Sequence, residues 1–207
     1  MAREQSGSTL LQAVAERIIA KYLLVRGASR AEVVSDGDSQ GVGVDIVAIE
    51  GRVSRLIKVK ADPYFGTDSR KIGDRGLAFY RADAGCLAFE AVANGVTRSL
   101  GWTLASEAQD LYYYYLALGQ TQDEVRALLA EPDEVFYSEI AVERDELLIL
   151  PMDRIRAWFE EHHQDYAPRP VMHEGVASWY RLVPRADVEK ALGRVSSSGA
   201  IFPRLIP

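Results

Sequence analysis

An aspartate interrupts an apolar strand. Along Val42-Gly43-Val44-Asp45-Ile46-Val47-Ala48-Ile49, Asp45 is the one polar side chain in a run bounded by Gly41 and by Glu50-Gly51. A near-continuous apolar run of this length reads as a central strand covered on both faces, so the chain must supply layers on either side of a sheet. A carboxylate there costs several kcal/mol unless it finds a cation, a metal or hydrogen bonds. After the Glu50-Gly51 turn, Val53 to Lys60 reads as the next strand, with Leu56, Lys58 and Lys60 on one face and Ile57 and Val59 on the other. The two lysines then stand about 6 to 7 Å apart on one face. Only five of the 24 basic residues are lysines, so two in one tripeptide point to a need for compact ammonium groups.

The rest of the pattern alternates helices with strands. Leu11, Val14, Ile18 and Tyr22 recur at helical spacing, with Ser8 or Thr9 able to cap the start and Gly27 to end it, which predicts a helix over 8–26 carrying Glu16. Residues 31–35 read as a short strand, 36–41 as a turn and 61–83 as loop. Asn94-Gly95 between Cys86–Val92 and Val96–Leu100 is a hairpin signal. Asp110–Leu118 reads as a strand. Thr121 with Glu124 forms a capping box for a helix that runs to Ala130 and stops at Pro132. A strand over 147–150, a helix over 151–162, a strand over 179–183 and a helix over 184–192 complete an α/β chain with a mixed sheet. Its 207 residues suit one domain, placed at 1–195, and Ser196-Ser197-Ser198-Gly199 opens a flexible or docking tail over 196–207.

Charge and cysteine content bound the partners. The net charge of −6 argues against a wholly basic nucleic-acid binder, but it averages two unlike regions. Between Gly51 and Arg81 eight basic residues face three acids, whereas four arginines face 15 acids between Ser106 and Asp165. The basic stretch 51–81 is therefore the candidate nucleic-acid-facing surface. Cys86 is the single cysteine, which favours a reducing, cytoplasmic setting. No apolar run approaches the roughly 18 to 20 residues that span a bilayer, so no membrane partner is expected. A homodimer or a protein partner stays open.

A helix bearing Glu16, a strand bearing Asp45 and the strand Ile57-Lys58-Val59-Lys60 together resemble the PD-(D/E)XK superfamily of restriction-endonuclease-like phosphodiesterases. The resemblance covers roughly the first 60 residues. It implies a mixed central sheet flanked by helices, with an elaborated C-terminal half, and a Mg²⁺-dependent nuclease. On that pattern Asp45 is a metal ligand, Val59 lends its carbonyl, Glu16 completes the metal shell and Lys60 positions the attacking water. The sequence departs from the family where the second acid belongs, because Lys58 stands there and an ammonium cannot ligate Mg²⁺. Glu90, in Ala88-Phe89-Glu90-Ala91-Val92, is the expected replacement, and Glu50 a weaker one at a turn. The same resemblance extends loosely to Trp102 and Asp110 as part of the site region. The alternative is a degenerate binding or scaffold module in which Lys58 pairs with Asp45 in place of metal.

Other motifs carry less. His162 and His163 point about 100° apart on a helix and so do not converge on a metal. Tyr112 to Tyr115 read as packing residues, and Cys86 as a small core residue.

Overall fold

A computed structural model describes residues 7–34, 43–63, 85–173, 175–193 and 195–206. Much of the basic stretch, from 64 to 81, and the 36–41 turn lie outside them. The first helix, α1 (Gly7–Val25), is followed by the meander β1 (Arg30–Val33), β2 (Ile46–Glu50) and β3 (Val53–Asp62). Next come β4 (Cys86–Asn94), β5 (Ser99–Leu100) and the short α2 (Trp102–Ala105), then β6 (Asp110–Leu118). The second half adds α3 (Gln122–Leu129), α4 (Asp133–Glu139), β7 (Val142–Pro151), α5 (Met152–His162), β8 (Pro168–His173), β9 (Val176–Pro184), α6 (Arg185–Leu192) and β10 (Ser196–Gly199).

These strands form two sheets. The central one has the order β1-β2-β3-β6-β7-β10 and is mixed: β3 and β6 run parallel, from Ile57 opposite Asp110 to Asp62 opposite Tyr115, and the other pairings are antiparallel. The second sheet, β5-β4-β9-β8, is wholly antiparallel. The molecule is thus mixed α/β with a mixed central sheet and flanking helices.

The alternation of β6 shows how the sheet builds two cores. Tyr112 and Tyr114 point to the face covered by α1, α3 and α4, while Tyr113 and Tyr115 point to the face covered by the second sheet, α5 and α6. A period of two puts consecutive side chains on opposite faces, so a run of four tyrosines feeds both layers. On the first face Ile18, Ile19, Ile46, Ile57 and Phe136 are fully buried; on the second, Phe89 and Phe159 meet edge to face at 5.5 Å. Each such side chain contributes about 1.5 to 3 kcal/mol by leaving water.

Several elements differ from the sequence reading. The strand expected from Val42 starts at Ile46, so Asp45 stands just before β2 and not inside it. Its backbone is still paired, Asp45 N donating to Ile57 O (2.9 Å) and Asp45 O accepting from Val34 N (2.8 Å). The β4–β5 turn spans 95–98, where a two-residue turn was expected, because Asn94 Oδ1 accepts from both Val96 N and Thr97 N and winds the chain once more. Strand β8 was not foreseen; its Pro168 and Pro170 are tolerated because it is an edge strand paired only with β9. The serine-rich segment read as the start of a flexible or docking tail forms β10 on the edge of β7, after which Ile201, Phe202 and Leu205 are buried.

Candidate functional site

Where β2 begins, β3 loses its neighbour on that side. Pairing between the two strands reaches only Ile46 opposite Ile57, yet β3 continues to Asp62. Buried backbone groups left without a ladder must be satisfied by something else. Two side chains do this. Asp45 Oδ2 accepts from Val59 N at 2.7 Å. Gln12, on α1, donates from Nε2 to Val59 O (2.9 Å) and accepts at Oε1 from Ala61 N (3.0 Å), so its carboxamide pairs with β3 as a strand residue would.

The charges follow from this arrangement. Lys58 Nζ lies 3.0 Å from both oxygens of Asp45, a charge-assisted pair in which each side chain keeps under a fifth of its surface exposed. Gln12 Nε2 also donates to Glu16 Oε1 at 2.8 Å, one helical turn along α1. Asp45, Glu16, Lys58 and Val59 are therefore brought to one place. Each of the groups that the resemblance implies for a metal shell there, the Asp45 carboxylate, the Val59 carbonyl and the Glu16 carboxylate, has a protein donor on it. Among the described residues no group of three or more His, Cys, Asp and Glu side chains converges as a metal-ligand set.

Lys60 follows Lys58 on the same face and reaches toward the second sheet, its Nζ 5.5 Å from the centre of the Tyr180 ring. Lys58 has the Trp102 ring at 6.0 Å. Burial holds the Lys60 ammonium below the ordinary lysine pKa; Asp62 and Glu90 pull it up, Lys58 pushes it down, and desolvation wins. No hydrogen bond or ion pair reaches Lys60 from the described residues.

Glu90 does not complete the Asp45 cluster. It lies on β4, accepting from Trp102 N at 3.0 Å, and its charge acts through space on Lys60 and on the Tyr180 hydroxyl, which burial holds above the ordinary phenol range. Gly101 makes this approach feasible, since a Cβ there would stand 2.3 Å from Glu90 O and 2.7 Å from Glu90 Cγ. Glu50 and Asp110 belong elsewhere, both paired with Arg55.

Three groups at the site escaped the sequence reading. Gln12 is one, although its position one turn before Glu16 puts it on the same helix face. The others are Tyr113 and Tyr115, expected only to pack. Tyr113 donates to the buried Asp62 and accepts from Ala88 N (2.8 Å), while Tyr115 donates to Cys86 O (3.2 Å). Their hydroxyls thus join the central sheet to the edge of β4. Burial and the adjacent Asp62 push the Tyr113 hydroxyl well above the ordinary phenol range, so it stays a donor. Comparison with known protein families, with curated proteins and with solved structures finds no match to this chain. Among the described residues no helix is long and apolar enough to cross a membrane.

Proposed function

We propose that this chain is a catalytically degenerate module of the PD-(D/E)XK type, which binds nucleic acid without cutting it and uses the Lys58 ammonium where an active nuclease holds a divalent cation. The observation that carries this reading is the position of Lys58 Nζ, 3.0 Å from both Asp45 oxygens, with Gln12 on Val59 O and on Glu16. Mg²⁺ needs near-octahedral oxygen ligands at about 2.0 to 2.1 Å. To enter here it would have to displace a tethered cation and two hydrogen bonds, and the ammonium would then repel it. The donor set therefore does not fit the ion. The mixed central sheet and the α1–β3 contact that places Glu16 beside Val59 support the nuclease-like architecture. Arg55 and Lys58 are taken up by carboxylates and Lys60 is buried, so within 51–81 it is the charge of the remaining basic residues in the sequence that supports a polyanionic partner.

Titration with MgCl₂ and MnCl₂ by calorimetry, alongside a cleavage assay on labelled DNA and RNA, tests this. The expected result is no metal-binding heat, no cleavage, and oligonucleotide binding that is unchanged by removing divalent ions with a chelator. Lys58→Glu should create a metal-binding heat that the parent lacks. Metal-dependent cleavage by the parent, abolished in Asp45→Ala and Lys60→Ala, would overturn the proposal.

A further inference from the structure

The second sheet carries an open pocket of about 370 Å³ between the β4–β5 turn and the β8–β9 edge, lined by Val92, Gly95, Arg98, Pro168, Trp179 and Arg181. We infer that this pocket holds one nucleotide of a single-stranded nucleic acid, its base stacked on Trp179 and its phosphates on Arg98 and Arg181. The inference rests on the proposed nucleic-acid reading and adds where, and in what form, the strand is held.

The lining has the chemistry of an anionic aromatic ligand. It contains no carboxylate, and among the described residues no carboxylate pairs with Arg98 or Arg181. In a chain of net charge −6 two such guanidinium groups around one indole reverse the average sign of the surface. Trp179 is only half-buried, because it stands opposite Val92 where the β4–β9 register shifts. The turn fixes its edge: Gly95 N donates to Ala177 O at 2.7 Å, and a Cβ on Gly95 would lie 3.0 Å from both Ala177 O and Trp179 Nε1. Arg181 is anchored from the other side, donating from Nε to His163 O at 2.8 Å.

Arg98 is placed by the turn itself. Its φ of +58° makes it the one non-glycine residue with a positive φ among those described, held there by the turn that Asn94 organises. Left-handed backbone at a non-glycine residue costs of the order of 1 kcal/mol, and here it closes the hairpin turn and fixes where the Arg98 side chain leaves the backbone. Stacking on an aromatic ring needs a base whose face is free, which a single strand offers and a duplex does not.

Fluorescence anisotropy with a labelled twelve-residue oligothymidylate and with a duplex of the same length tests this. The parent should prefer the single strand. Trp179→Ala should weaken it about 5- to 100-fold, whereas Trp179→Phe keeps most of the affinity. Arg98→Glu changes an exposed turn residue, should leave the thermal transition in place, and should weaken binding about tenfold with a shallower salt dependence. Parent-like binding by a folded Arg98→Glu variant, or a parent preference for duplex, would overturn the pocket while leaving the metal-free reading intact. A parent that binds no oligonucleotide would overturn the pocket and the nucleic-acid binding in the proposed function alike.

Discussion

Two aspartates, Asp145 within the central sheet and Asp45 just before its strand β2, face the same physical problem and meet it differently. Asp145, in β7, is 8% exposed and accepts three hydrogen bonds from neutral donors: the Tyr114 hydroxyl (2.9 Å), Ile201 N (2.6 Å) and Phe202 N (2.9 Å). Asp45 keeps 18% of its side chain exposed and takes one backbone N–H and one ammonium. Neutral donors fixed by the backbone satisfy a carboxylate without bringing in a second charge. A lysine neutralises it but must itself be desolvated, and a cation that still touches solvent is exchangeable in a way that a backbone amide is not. The first arrangement locks a chain segment in place. The second makes a site whose charge can be rewritten by one substitution.

The contrast can be broken from either end. Asp145→Ala should have the largest effect, about 3 to 4 kcal/mol lost in chemical denaturation, because it leaves two backbone N–H groups and a hydroxyl buried without acceptors. A loss below about 1 kcal/mol would show that water takes over those donors. Lys58→Ala should cost about 2 kcal/mol by stranding Asp45, less than a fully buried pair because both groups touch solvent. The cost should largely vanish in the Asp45→Asn, Lys58→Ala double variant, and a double-mutant cycle with no coupling would refute the pairing. Tyr114→Phe removes one of the three donors to Asp145 and should cost about 1 to 2 kcal/mol by the same denaturation measurement.

Lys60→Met should act in the opposite direction, with the smallest magnitude. The folded state holds the Lys60 proton less tightly than the unfolded chain does, so between the depressed pKa and 10.5 unfolding takes up a proton and stability rises with pH. Below that window the parent carries the whole cost of burying the cation. The Met variant should therefore melt higher than the parent at pH 7, and the gap should narrow as pH rises toward 10.5. A variant that melts lower at pH 7 would mean that attraction to Asp62 and Glu90 outweighs desolvation.

The sequence made one of these aspartates conspicuous and hid the other. Asp45 stood out because its neighbours are apolar on both sides and two lysines follow on the next strand. Asp145 lies within Glu143-Arg144-Asp145-Glu146, where a charged residue is unremarkable, and its donors come from Tyr114 and from residues more than fifty positions away. Local patterning reads what local physics decides: the Thr121–Glu124 capping box forms as expected and β6 has the expected limits. Edge strands such as β8 and β10 owe their existence to a neighbour and carry no strong alternation of their own. Gln12 was missed for a similar reason, since its role depends on β3 outrunning β2.

The burial of Ile201, Phe202 and Leu205 against the core that also holds Leu10, Val14 and Ile18 has a consequence for biosynthesis. Helix α1 is synthesised well before these residues, and part of its oily face must wait for residues near position 205 before it is covered. A nascent chain stalled before that point would display this unsheltered surface, and the proteases and chaperones that survey incomplete products would have it as their handle.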